Sequence, residues 1–437
     1  MSESNTNGRT LGPWELGGDA FRARLERLYD LTAHGPLDAS RVGAFAHAQE
    51  EVLSGLLEVE ARRLALRRDR AAHTRADYER TGRALDRAEA AIRRGADAIA
   101  WHMVAGQLWI LRRLHTGEPR PPLGTSGWEA VAAAAREYNE RHPGEFALMS
   151  DLTSFIDVGD LLARGRDSLT VIEVKTGKVN DKILTALRLA REGCDFPLGE
   201  VFAAHGDKAV RQTERIMKQA KRIVNATNVL NTGRGTEYGM PLRVFGDEVL
   251  PEEDYTDRLG SIMAGTAARD WSIGEVDNCL MIGAYKGAPA FKSGAVFSAW
   301  VDSDPSLEGP TFDLGDALFA PLACPLHVHP TLRPYAIPVV FGELRVLLRL
   351  GLPSFARLAN EHGLRFEPMS RADTEKHSRT APSRRDIFRW NGRACGITYR
   401  EATVAVGTGL LGRVFHNQST PRFVLDLTRR MMALLHV

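Results

Sequence analysis

Three charged residues in two neighbouring apolar runs, Asp160, Glu173 and Lys175, hold the chemistry most open to reading in this chain. The run Leu169-Thr170-Val171-Ile172-Glu173-Val174-Lys175-Thr176-Gly177 is dominated by aliphatic and β-forming residues at its start and predicts a buried strand closed by a glycine turn. With a period of two, Glu173 and Lys175 share one face of that strand while Ile172 and Val174 take the other. A second strand-like segment, Phe155 to Leu162, lies upstream, and the linker Ala163 to Ser168, with Gly165 in it, suits a hairpin turn. Such a hairpin brings Asp160 beside Glu173 and Lys175. Two carboxylates and an ammonium on adjoining strands can hold a hard divalent cation and orient a water. The alternative is a same-face ion pair at a sheet edge, with Asp160 a solvated turn residue.

Asp160 followed, after a hairpin-length gap, by Glu173-Val174-Lys175 resembles the active-site signature of the PD-(D/E)XK, or restriction-endonuclease-like, nuclease superfamily. The resemblance covers roughly Ser126 to Gly246. It implies a core in the order helix, three strands, helix, strand. It also implies a Mg²⁺ or Mn²⁺ ion held by Asp160, Glu173 and the backbone carbonyl of Val174, with Lys175 orienting the attacking water. Gly159 stands where the signature carries a proline. Asp157 is a rival for the first acid, and its odd spacing from Asp160 turns its side chain elsewhere. Related nucleases often place an acidic residue on the helix before the hairpin, which here would be Glu129, and a polar residue on the helix after it, either Gln212 or Gln219. Glu129 also fits a capping box with Ser126, which accounts for it without catalysis.

The elements that would position these residues follow from patterning. Residues 1–18 read as a disordered leader and 19–118 as a helical, coiled-coil-like region. Phe45, Val52, Leu56 and Val59 recur at near-heptad spacing, and Leu85, Ala88, Ile92, Ala96, Ile99 and Met103 follow after the polar stretch Arg67 to Arg83. The expectation is an antiparallel helix pair with an exposed tip, either an arm for self-association or complex formation or a domain packed on the rest of the chain. Glu118 to Gly124, rich in proline, marks a boundary. Beyond it, residues 119–250 are expected to form the nuclease-like α/β domain: a helix to about Arg141, a strand from Phe146, the hairpin, an insertion over Lys178 to His205, a helix over Asp207 to Leu230 and a closing strand at Leu242 to Phe245. On the Asp207–Leu230 helix Ala209, Ile216 and Ile223 lie in the core stripe, while Arg211, Arg215, Lys218 and Arg222 align on the opposite face. Four aligned cations suit a phosphate backbone, although most such faces are simply solvated. Residues 251–437 form a mixed α/β region. Strands are expected at Cys279 to Gly283, Ala295 to Val301, Ala336 to Phe341 and Ala402 to Val406, with helices at Gly342 to Leu350, Pro353 to His362 and Val424 to Leu435. The basic stretch Arg371 to Arg389 reads as a loop that can meet phosphate.

The whole is a multi-domain α+β chain, and 437 residues allow two or three domains. A net charge of +2 rules out recruitment of nucleic acid by a global field, so binding has to come from local patches. Four scattered cysteines without a C-x-x-C pair fit neither a zinc ribbon nor a disulfide framework. The polar N-terminus lacks a signal-peptide core and no run reaches membrane-span length, so a cytoplasmic protein with no membrane partner is expected. Cys324, His327 and His329 read as structural, and no phosphate-binding loop of the G-x-x-x-x-G-K-[ST] type occurs. The functional expectation is a Mg²⁺-dependent endonuclease acting on nucleic acid, DNA first, of the kind found in restriction or anti-phage systems. The alternative is an inactive protein of the same fold that serves as a nucleic-acid or protein binding subunit.

Overall fold

The computed structural model describes residues 18–33, 39–115, 117, 122–125, 127–166, 168–174, 214, 217, 224, 225, 227–229, 232–237, 240–243, 253–380 and 387–435. They form a mixed α/β protein with several sheets and a helical N-terminal region. Two compact units are present, one of residues 1–34, 75–91 and 247–437, the other of 35–74 and 92–246. Residues 19–118, expected to form one helical domain, contribute to both.

The N-terminal helices are α1 (Gly18–Thr32), α2 (Ala39–Arg68), α3 (Arg75–Met103), α4 (Leu108–Leu114) and α5 (Trp128–Arg141). The two long helices occur where the apolar spacing placed them: Phe45, Val52, Leu56, Val59, Leu85, Ala88, Ile92, Ala96, Ile99 and Met103 are all buried. The polar stretch between them, residues 67–76, is exposed. Gly55 lets α2 approach Ile92 closely, since a Cβ there would lie 3.1 Å from Ile92 Cδ1. Three antiparallel strands, β1 (Phe146–Met149), β2 (Leu161–Arg164) and β3 (Leu169–Ile172), form a sheet in that order. Helix α2 packs on β1, with Phe45 edge-on to Phe146 at 5.9 Å. The outer edge of β1 is closed by side chains rather than by another strand. Gln49 Oε1 accepts from Met149 N–H and Asn139 Oδ1 from Ala147 N–H, each at 2.8 Å. Of the closing strand expected at Leu242 to Phe245 only Leu242 and Arg243 are described; among the described residues their strand, β5 (Met240–Arg243), pairs with β4 (Arg234–Glu237) and not with this sheet.

In the other unit the elements continue as α6 (Thr256–Arg269), β6 (Trp271–Val276), β7 (Leu280–Lys286), α7 (Ala288–Val301), β8 (Thr311–Asp313), α8 (Arg333–Val340), β9 (Leu344–Leu350) and α9 (Leu352–Glu361). They are followed by β10 (Arg365–Pro368), α10 (Arg371–Thr380), β11 (Arg389–Trp390), β12 (Arg393–Tyr399), β13 (Ala402–Ala405), α11 (Thr408–Asn417) and α12 (Pro421–Leu435). The main sheet is antiparallel in the order β6-β7-β9-β8. Both faces of β7 are covered: Leu280, Ile282 and Ala284 join the larger core, while Met281 and Tyr285 pack with Phe297 and Val301 of α7.

Four expectations for this unit need correcting. Ala295 to Val301 is helical, because the buried positions Ala290, Ser293, Phe297 and Val301 follow the helical period from a start at Ala288, with Pro289 in the first turn. Ala336 to Phe341 falls on helix α8 and its C-cap instead of a strand. Leu344 to Leu350, leucine- and arginine-rich and so helix-favouring by propensity, is a strand held between β7 and β8. Arg371 to Thr380 is a helix, not a loop. The strands at Cys279–Gly283 and Ala402–Val406 and the helices at Pro353–His362 and Val424–Leu435 overlap β7, β13, α9 and α12.

Candidate active site

The hairpin that the sequence implied is present. Its register pairs Leu161 with Ile172, Leu162 with Val171, Ala163 with Thr170 and Arg164 with Leu169, and the turn is closed by Gly165 N–H donating to Ser168 O at 3.0 Å. One step outward from the Leu161–Ile172 pair stand Asp160 and Glu173. There the regular ladder stops. Asp160 N–H donates to Ile172 O at 2.9 Å, and Asp160 Oδ2 accepts from Val174 N–H at 2.6 Å, a short charge-assisted bond. Glu173 and Val174 therefore lie beyond the end of β3, both partly buried, across from Asp160.

Residues 155–160, expected to be strand, are a looped approach to β2. Two observations account for this. Asp157 N–H is bound to Leu114 O at 2.8 Å, which pulls the chain away from the sheet. Gly159 has φ +72°, and a Cβ there would lie 2.3 Å from Val171 Cγ1 and 3.1 Å from Ile172 O. Gly159 is thus the residue that lets the chain cross the end of β3 and deliver Asp160.

The rival acid is engaged elsewhere. Asp157 is 7% exposed in its side chain, and its Oδ2 lies 2.9 Å from His115 Nδ1 and accepts from Gly117 N–H at 3.2 Å. It ties the loop to the chain just past α4, so Asp160 is the acid that faces Glu173 and Val174.

The scaffold beneath the loop was not foreseen. Asp97 on α3, fully buried, accepts from Ser154 N–H at 2.6 Å and from Ser154 Oγ at 2.8 Å, and pairs with Arg94 at 3.1 Å. Arg93 donates to the carbonyls of Asp151 and Thr153, and Thr153 Oγ1 donates to Ser150 O and accepts from Ile156 N–H. Ser150 N–H reaches Asp160 O at 2.9 Å. A chain of bonds from one buried helix thus fixes the backbone that bears Asp160. Arg93, Arg94 and Asp97 interrupt the apolar positions of Ala91 to Val104, and in sequence they read equally well as a solvated face.

Of the remaining expected residues, Glu129 is exposed in the first turn of α5, whose N-cap is Gly127 with no side-chain cap; Ser126, its expected partner in a capping box, lies outside the described residues. Lys175, Arg211, Gln212, Arg215, Lys218, Gln219 and Arg222 lie outside the described residues, as does the insertion over 178–205. Within the expected Asp207–Leu230 helix, Glu214, Met217, Val224, Asn225, Thr227, Asn228 and Val229 are helical, Val229 buried and Met217 and Val224 exposed. Cys324 Sγ meets His329 Nε2 at 3.3 Å, and His327 stacks on Tyr29 with its Nε2 3.1 Å from Thr32 Oγ1, so the three do not converge on one ion. Among the described residues no group of three or more His, Cys, Asp or Glu side chains gathers as a metal site, and no helix is long and apolar enough to cross a membrane. No protein-family model matches the chain, and no curated protein or solved structure does either.

Proposed function

We propose that the chain is a metal-dependent nuclease with a PD-(D/E)XK-type core, in which Asp160, Glu173 and Lys175 act on a nucleic-acid phosphodiester, DNA in the first instance. The observation that carries this reading is the meeting of Asp160 with the Glu173–Val174 segment at the open end of a hairpin, on a loop anchored by buried polar bonds. Two carboxylates and a main-chain carbonyl make an oxygen-only donor set, the kind that suits Mg²⁺ or Mn²⁺. A bound ion there would supply Lewis-acid polarisation of the phosphate and a more acidic water. Asp160, fixed by its bond to Val174 N–H, would present its carboxylate without a large search of rotamers. Glu173 would complete the acidic pair from just beyond the end of β3. Lys175, two residues on in the sequence, would hold the attacking water and balance charge building on the phosphate oxygens. The cations Arg211, Arg215, Lys218 and Arg222 would bind the strand by its phosphates.

A second reading is favoured by the same bond. Asp160 capping Val174 N–H is a sufficient structural role, so an inactive member of the fold would keep the aspartate too, and would act as a binding or regulatory subunit. Incubating the purified protein with linear, circular and single-stranded DNA and with RNA, in Mg²⁺ or Mn²⁺ and in EDTA, separates the two. Metal-dependent cleavage supports the nuclease. Binding without cleavage under every condition selects the inactive form.

A further inference from the structure

The basic stretch Arg371 to Arg389, which the sequence marks as able to meet phosphate, borders a cleft in the other unit. Helix α10 and the β11–β12 hairpin enclose an open cleft of about 460 Å³, lined by Arg371, Thr374, Glu375, Ser378, Arg389, Asn391, Gly392 and Arg393. The hairpin turn is Asn391-Gly392, with φ +49° and +76°, the mirror-image turn that Asn-Gly favours. It sets Arg389 and Arg393 on the two strands that leave the turn, against the helix.

The arginines are held, yet their charges are not cancelled. Arg389 donates to Ser378 Oγ at 2.7 Å and to Gly392 O at 3.1 Å. Arg393 donates to Met369 O at 2.5 Å and to Pro368 O at 3.4 Å. Every one of these acceptors is neutral. Arg371, exposed at the start of α10, has no carboxylate partner among the described residues. The single carboxylate of the lining, Glu375, is bound to Arg379 at 2.5 Å, so its charge is already balanced from the same helix. Ser378 Oγ in turn donates to Thr374 O, so the hydroxyl that steadies Arg389 is itself fixed. A structural role explains the anchoring of Arg389 and Arg393 to neutral acceptors, but not three guanidinium groups around one opening with no carboxylate bonded to any of them among the described residues; Glu308, beside the cleft, is bonded to Asn391 instead. Such groups usually sit beside carboxylates or spread into solvent, because like charges gathered in one place destabilise the fold that gathers them.

We infer that this cleft binds a phosphate-bearing ligand of nucleotide size. Phosphate supplies the charge and the several acceptor oxygens that three planar donor forks can share, and a carboxylate of one charge would satisfy fewer of them. The volume is in the range of small-molecule sites and larger than inorganic phosphate needs. Free nucleotide and the phosphates of an oligonucleotide strand share this chemistry, and the test distinguishes them. The inference does not depend on the nuclease reading, since none of these residues belongs to the hairpin site.

The experiment is fluorescence anisotropy on the full-length chain in EDTA, which removes any metal-held contribution, with a fluorescent ATP analogue, a labelled single-stranded oligonucleotide and unlabelled pyrophosphate as competitor. At least one labelled probe is expected to bind, to be displaced by pyrophosphate and to weaken as salt rises. Arg371→Glu, at an exposed position with no carboxylate partner among the described residues, should weaken binding by at least about tenfold, the scale of one charged contact replaced by repulsion. Arg389→Lys keeps the charge but loses the fork and should weaken it severalfold, whereas Glu375→Gln should not weaken it at all. Binding of the ATP analogue identifies free nucleotide; binding of the oligonucleotide alone identifies a strand. Absence of binding by both probes, or an affinity unchanged within about twofold in Arg371→Glu with the fold intact by circular dichroism, overturns the inference.

Discussion

Replacing Asp97 with alanine tests whether the loop bearing Asp160 is held from below as described. Helix α3 provides its own control, since it contains two acid–arginine pairs spaced three residues apart. Arg94 and Asp97 are 5% and 0% exposed in their side chains, and Arg80 and Asp77 are 51% and 48% exposed. Removing one partner of a buried pair costs about 3–5 kcal/mol, because the remaining charge loses its counter-charge where water cannot replace it. Here the same change also deprives Ser154 N–H and Oγ of their acceptor. The exposed pair, screened by water, is worth about 0.3–0.5 kcal/mol. Asp97→Ala should therefore lower the urea midpoint of the unit's unfolding by about 1–2 M at unchanged slope, for a slope near 3 kcal/mol/M. Asp77→Ala should leave the midpoint within about 0.2 M on the same scale. Asp97→Asn, which keeps an acceptor for Ser154, should fall between them. Urea titrations followed by circular dichroism read all three. A cost below about 1 kcal/mol for Asp97→Ala, or equal costs at 77 and 97, would refute the claim that this network carries the loop.

Three further outcomes follow from particular residues. Gly159→Ala forces a left-handed φ on a residue with a Cβ and drives that atom into Val171, so it should destabilise by about 2–4 kcal/mol and displace Asp160; a change under about 0.5 kcal/mol in thermal unfolding would contradict the crossing geometry. Asp160→Asn should suppress metal-dependent cleavage while the fold survives, whereas Asp157→Asn, which weakens the tie to His115, should cost stability more than rate; the reverse ranking would exchange the two acids. Burial holds the His329 imidazole below its ordinary range, so its neutral form is favoured by folding. Its contribution to stability is present above the ordinary histidine pKa of about 6.5 and is lost as pH falls through the lowered folded value. A His329→Gln variant should show a flatter loss of stability below about pH 6.5, and an unchanged acid limb would argue against burial as the cause.

The residues show where sequence reading succeeded and where it stopped. The α2–α3 pair was legible because Phe45, Val52, Leu56 and Val59, with Leu85 to Met103, repeat at a spacing that only a helix can bury on one side. The hairpin was legible because Gly165 separates two short apolar runs. Strand and helix were exchanged at 295–301, 336–341 and 344–350, where apolar residues crowd both faces and periodicity loses its contrast. There the decision belongs to tertiary neighbours, as when β7 and β8 take Leu344–Leu350 between them. The support for Asp160 was least legible. Ser154 and Thr153 are far in sequence from Arg93 and Asp97, which bind them, and a charged pair three residues apart on a helix looks alike whether solvated or buried.

The chemistry proposed for Glu173 and Lys175 is tested most directly by a single-turnover cleavage assay. Wild type, Glu173→Ala and Lys175→Ala are compared on labelled DNA with Mg²⁺, with folding checked by circular dichroism. The account requires a rate that vanishes in EDTA and falls by about a hundredfold or more in each variant, the usual loss when a group stabilising the transition state is removed. Wild-type rates in either properly folded variant would contradict it.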